Sequence, residues 1–145
     1  MKTVKDMLKS KKSELWFVAP TATVFDALKI MGEKEIGALM VMDAGKVVGI
    51  ISERDYARKV ILKGKASKDT LVKEIMTSNM FSVKPENTVE ECMVLITGKH
   101  IRHLPVFDKD KFVGIVSVGD VVKSLISEQE KLIEQLSDYI SGKYI

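Results

Sequence analysis

Apolar residues along this chain recur first at helical spacing and then in short unbroken runs, and the whole order occurs twice. Val24, Ala27, Leu28 and Met31 fall on one face of a predicted helix, and Thr23 followed by Asp26 has capping-box spacing just ahead of them. An apolar run over residues 38–42 follows, then the polar turn Asp43-Ala44-Gly45-Lys46, then a second run over 47–51. Two such runs around a polar turn predict a β-hairpin, and their lack of polar residues predicts a sheet covered by helices on both faces. A further helix is predicted to start near Ser52. The second copy reads the same way. Val89, Cys92, Met93 and Ile96 share a helical face behind Thr88 and Glu91. Runs over 104–107 and 112–116 flank Asp108-Lys109-Asp110-Lys111, and a last helix is predicted near Ser117.

A shift of 65 residues lays residues 18–61 over 83–126 without a gap, with 16 of 44 positions identical. Upstream, "VKDML" at 4–8 matches "VKEIM" at 72–76 at a shift of 68, so the first copy carries three extra residues within 9–17. An internal repeat of one supersecondary unit predicts a pseudo-twofold arrangement in which each copy covers the apolar face of the other. Each unit is predicted as strand, helix, strand, strand, helix. Residues 121–140 add a broad apolar stripe at spacings of three and four: Val121, Val122, Leu125, Ile126, Leu132, Ile133, Leu136, Tyr139 and Ile140. The repeat ends near Ile126, so the remainder of this helix needs something to cover it.

Bulk properties narrow the classes. A chain of 145 residues is one domain or two small halves. One cysteine, Cys92, excludes an internal disulfide and lies on an apolar helical face, where it reads as core. The lysine-rich start MKTVKDMLKSKK lacks the apolar centre of a signal peptide, and no apolar run approaches the roughly 20 residues of a membrane span, so a cytoplasmic protein without a membrane partner is expected. Basic runs at 9–12 and 58–68 are interleaved with enough acidic residues that the net charge is only +3, which argues against nucleic acid as the main partner. There is no Walker loop, no GxGxxG and no HExxH, and neither histidine has a nucleophile partner visible in the sequence. No enzyme activity, catalytic cofactor or dedicated metal site is expected.

The chemistry concentrates in two short segments, "GIISERD" at 49–55 and "GIVSVGD" at 114–120, each entering a predicted helix. With "IGALMVMD" at 36–43 and "IRHLPVFD" at 101–108, they carry a resemblance to the tandem CBS domain pair, or Bateman module, over roughly residues 4 to 127. The fold expected is therefore α+β in two layers: a pseudo-twofold CBS pair with a first motif at 1–66, a second at 67–127 and a helical extension at 128–145. The resemblance implies a stand-alone regulatory module that binds AMP, ADP, ATP or NAD(H), with S-adenosylmethionine less favoured, in two clefts between the halves. It also implies a homodimer and an unidentified regulated protein. A helix start offers free N–H groups and favours phosphate, to which Ser52 and Ser117 add a hydroxyl. Asp55 and Asp120 suit a ribose, whose vicinal hydroxyls both donate. The plainer reading is that each Ser and Asp form a helix cap, and one side chain can do both.

Carried over from the family, one site would combine Ser52, Arg54 and Asp55 with Thr77, Phe81, Ile101, Arg102 and His103. The other would combine Ser117, Gly119 and Asp120 with Trp16, Ile36, Gly37 and Ala38. Arg54 favours phosphate at the first turn, whereas Gly119 leaves room but no charge at the second. Arg102 and His103 replace Gly37 and Ala38 of the first copy; they would face a phosphate or a charged sensor position, or else form a structural salt bridge with His103 a satisfied histidine, and in the first case His103 would make binding pH-sensitive. Trp16 reads either as a wall of the second site or as an ordinary half-buried aromatic.

Overall fold

The computed structural model describes residues 2–11 and 14–142; Lys12 and Ser13, within the longer first-copy stretch and its basic run, and residues 143–145 of the extension lie outside them. In chain order the elements are α1 (Val4–Ser10), β1 (Phe17–Val18), α2 (Val24–Lys34), β2 (Ala38–Asp43), β3 (Lys46–Ser52), α3 (Glu53–Lys59), α4 (Val72–Ile75), α5 (Val89–Lys99), β4 (His103–Asp108), β5 (Lys111–Ser117) and α6 (Val118–Ile140). The chain is a mixed α+β protein, as the hydrophobic pattern predicts. It forms two compact units, one of residues 14–80 and the other of residues 2–11 with 81–142.

In the unit of residues 14–80, β1 runs parallel to β2, with Val18 opposite Val41, and β2 forms an antiparallel hairpin with β3. The hairpin turn needs positive φ at two positions, and Ala44 and Gly45 supply 50° and 78°. Val41 faces Gly49 while Met42 faces Val47, so Val48 is the extra residue of a bulge. Helix α2 starts on Thr23, whose side chain accepts the Asp26 N–H, and buries Val24, Ala27 and Met31, the face its periodicity predicts. These pack with Leu39, Val41 and Ile51 of the sheet and with Val72 and Ile75 of α4.

The unit of residues 2–11 with 81–142 repeats this plan around β4 and β5, with the same bulge at Val113. Thr88 and Glu91 form a full capping box at the start of α5, and Val89, Cys92 and Ile96 are buried. One element differs. The strand that should open the second repeat is reduced to a single parallel bridge, Val83 opposite Val106, the counterpart of Val18 opposite Val41. The cause is Pro105. Val83 donates to the Pro105 carbonyl and accepts from the Phe107 N–H. The next ladder bond, back toward Phe81, would need a donor from Pro105, which has no N–H.

The short helices before each repeat are exchanged. The α1 residues Val4 and Lys5 donate to the carbonyls of Asn87 and Pro85, ahead of α5. The α4 residues Val72 and Lys73 donate to Ala22 and Pro20, ahead of α2. The similarity of "VKDML" and "VKEIM" thus reflects one structural role, with each helix docked on the other repeat. Val4 and Met7 accordingly belong to the core built around Leu104, Val106 and Val116. Helix α6 runs unbroken through the end of the repeat, so the predicted extension is its continuation. Val121 is buried, but Ile126, Leu132, Ile133, Leu136, Tyr139 and Ile140 are all more than half exposed.

Candidate functional site

The turn after β3 is built by a reciprocal cap. Ser52 Oγ accepts the Asp55 N–H at 3.2 Å, and Asp55 Oδ2 accepts the Ser52 N–H at 2.9 Å and its hydroxyl at 3.1 Å. Lys59, one helical turn on, pairs with Asp55 Oδ1 at 3.1 Å and also donates to the Ile75 carbonyl at 2.9 Å. The capping role is therefore realised. Around this turn the hairpin sets Ala38 opposite Ser52, and the Gly37 carbonyl accepts the Glu53 N–H at 3.1 Å. Thr77 bridges to Ile50 through two hydrogen bonds of 2.9 Å. This approach depends on Gly49, where a Cβ would lie 2.8 Å from Met76 Sδ and 3.0 Å from the Thr77 carbonyl. Trp16 is half-buried against the core with Ile36, and the Lys34 ammonium lies 4.2 Å over its ring. Arg54 is half-buried and is not a free cation.

The turn after β5 repeats the cap with different supports. Ser117 Oγ accepts the Asp120 N–H at 3.2 Å, and Asp120 Oδ2 accepts the Ser117 N–H at 2.9 Å. His103 stands opposite Ser117, and the Arg102 carbonyl accepts the Val118 N–H at 2.9 Å. Ile101 packs against the core, while the Arg102 side chain is exposed. His103 is half-buried and engaged. Phe81 is exposed, with the Lys99 ammonium 5.2 Å from its ring. A Cβ on Gly119 would meet only Ser117 Oγ at 3.6 Å, so space is open there.

The cation at this turn comes from far away in sequence. Lys11, just past α1, places Nζ 2.8 Å from Asp120 Oδ2 and 3.0 Å from the Ile115 carbonyl. Burial pushes the Asp120 carboxyl up, but the hydrogen bonds from Lys11 and from the Ser117 main chain outweigh it and hold the carboxyl below its ordinary value. The position that matches Lys59 in the repeat is Ser124, whose buried hydroxyl has no partner among the described residues. Sequence reasoning missed both lysines. Lys59 had a local signal, its i+4 spacing from Asp55. Lys11 had none, because the contact spans 109 positions.

The two turns therefore share a Ser-capped carboxylate held by one lysine that also grips a main-chain carbonyl. They differ in where the lysine comes from: Lys59 lies four residues past Asp55 on the same helix, whereas Lys11 reaches Asp120 across 109 positions. Among the described residues no three His, Cys, Asp or Glu side chains gather as a metal site, and no helix is long and apolar enough to cross a membrane.

Known proteins resemble this chain along most of its length. The CBS-domain protein CBSX3, mitochondrial, of Arabidopsis thaliana is 41% identical, over 98% of this chain and 73% of its own. A solved CBS-domain protein from Burkholderia ambifaria MC40-6 superposes with a TM-score of 0.85 at 46% identity, covering 88% of this chain and 96% of its own. The CBS domain pair of protein MJ0100, solved in complex with 5′-methylthioadenosine and S-adenosyl-L-methionine, superposes with a TM-score of 0.77 at 26% identity, covering 88% and 98%. The sequence profile of the CBS domain matches twice, at residues 4–62 and 72–127, and the chain belongs to the CBS-domain family as a tandem pair.

Proposed function

We propose that this protein is a regulatory module that senses adenosine-containing ligands, AMP, ADP, ATP or NAD(H), at its two Ser-x-x-Asp turns and passes the signal to a partner protein. The observation that carries the reading is the duplication of one polar geometry at two helix starts, Ser52 with Asp55 and Ser117 with Asp120, inside a CBS pair. A cap needs only one acceptor for a main-chain N–H. Each turn holds a whole carboxylate, a serine hydroxyl and an ammonium together, which suits the vicinal hydroxyls of a ribose beside a phosphate. The solved pair that holds two adenosine compounds supports the ligand class and keeps S-adenosylmethionine among the candidates.

Helix α6 offers the route outward. Its N-terminus is the Ser117 turn, and Val122, Ile126, Ile133, Leu136 and Ile140 follow at alternating steps of four, seven, three and four, with Gln129 filling the heptad gap. Glu128, Lys131, Glu134 and Asp138 fall off this stripe. A heptad seam with Ile at one position and Leu or Val at the other is self-complementary, so its occupant in this reading is the same helix of a second copy. A ligand that prefers one setting of α6 then shifts the dimer surface a partner reads. The test is calorimetry with AMP, ADP, ATP, NAD(H) and S-adenosylmethionine on the parent, Asp55→Asn and Asp120→Asn, since Asn keeps the capping acceptor. Loss of binding in one or both variants supports the reading. If no adenosine compound binds, or both variants bind like the parent, the turns are caps only.

A further inference from the structure

The two turns differ in the origin of their charge. Beside Asp55 the chain places Arg54, whereas beside Asp120 it places Gly119, exposed and without charge. Lys11 fills that gap from another part of the chain. The Lys11 side chain is 31% exposed and that of Asp120 25%, so the pair is only partly buried. Lys11 also donates to the Ile115 carbonyl at 3.0 Å, a second anchor for the ammonium beside the turn. The Ser117 hydroxyl and the Asp120 carboxylate lie on the same turn.

We propose that Lys11 is the specificity-determining residue of the Ser117 turn, giving it a preference for phosphorylated over unphosphorylated adenosine ligands. This rests on the ligand reading above. Without Lys11, Asp120 would stand as a bare anion and repel a phosphate. With it, the carboxylate is neutralised in place and the ammonium is a donor for phosphate oxygens. A neutral nucleoside feels neither effect strongly. The lysine thus separates AMP from adenosine without touching the shared base or sugar.

The experiment titrates the full chain with AMP and with adenosine and follows the main-chain amide signals of Val118, Gly119 and Asp120, so that this turn is read apart from the Ser52 turn. Lys11→Met removes the charge, Lys11→Gln keeps a donor for the Ile115 carbonyl without the charge, and Lys11→Arg keeps the charge. Expected is a loss of roughly tenfold in AMP affinity at this turn in Lys11→Met and Lys11→Gln, the size of one charge contact at a partly exposed site, with adenosine changed far less and Lys11→Arg close to the parent. An unchanged ratio of AMP to adenosine affinity, or an equal fall of both, overturns the proposal while leaving the ligand reading intact. Failure of both compounds to shift this turn in the parent overturns the proposal, and the ligand reading falls with it when ADP, ATP, NAD(H) and S-adenosylmethionine fail as well.

Discussion

Gly49 and Gly114 occupy the same letter of the repeated motif, yet the structure predicts unequal costs for the same substitution. In Gly49→Ala, the new Cβ would sit 2.8 Å from Met76 Sδ and 3.0 Å from the Thr77 carbonyl. The second contact is main chain, held by the two bonds between Ile50 and Thr77, so relief requires that bridge to move. Overpacking of this kind costs about 1–3 kcal/mol. Loss of glycine's unfolded-state freedom offsets about 0.4–1 kcal/mol. The net expected is about 1–2 kcal/mol of destabilisation. In Gly114→Ala the near contact is Leu8 Cδ2 at 2.9 Å, with Leu8 Cδ1 and Cγ at 3.6 and 3.8 Å. A side-chain tip can turn away, so the net cost should be under about 1 kcal/mol once the same entropy gain is counted. Urea unfolding followed by the single tryptophan, Trp16, reads the unit that holds Gly49, and circular dichroism reads the whole chain. Hydrogen exchange should also quicken at the Ile50 and Thr77 amides in Gly49→Ala. Equal effects of the two substitutions, or a stabilising Gly49→Ala, would refute the reasoning that the Thr77 segment requires a bare backbone beside β3.

Four further outcomes follow from the geometry. Burial first, then the charges of Glu91 and Glu90, pushes the Cys92 thiol up to about 11, so at pH 8 a thiol reagent should label the protein only as it unfolds; rapid native labelling would contradict this. Asp120 has a lowered carboxyl value, so its pairing with Lys11 stabilises the fold above the ordinary value of 3.8 and the benefit disappears as pH falls through the depressed folded value. Lys11→Met should therefore lose about 0.2–1 kcal/mol in urea unfolding at pH 7, and the gap to the parent should close in acid. Leu39→Ala and Leu104→Ala, each at a fully buried position, should each cost about 2–5 kcal/mol. Ile133 is exposed and sits on the seam of the proposed dimer, so in that reading Ile133→Glu should shift sedimentation toward monomer while urea stability at low concentration stays within about 0.5 kcal/mol of the parent.

The elements that were legible in the sequence are those whose cause is local. Helices α2 and α5 announce themselves by their caps and their apolar faces, and the hairpins by apolar runs around short polar turns. The Ser-x-x-Asp turns are legible because a cap acts over three residues. The exchange of α1 and α4 was not legible, since "VKDML" carries no mark of the distant carbonyls of Asn87 and Pro85 that receive its N–H groups. Lys11 was hidden for the same reason: only the folded chain brings it to Asp120. The shortened opening strand of the second repeat lies between these cases. Pro105 stands in the sequence, but its effect depends on which neighbour needs its missing N–H, and that follows from the register of Val83 on Val106.

In the proposed function the two Ser-x-x-Asp turns bind an adenosine ligand and are more than caps. The most direct measurement is a residue-resolved amide titration of the parent protein with AMP. Expected are saturable shifts at Glu53, Arg54 and Asp55 or at Val118, Gly119 and Asp120, abolished by Asn at the matching aspartate. Shifts confined to other surfaces, or none at millimolar AMP and NAD(H), would contradict it.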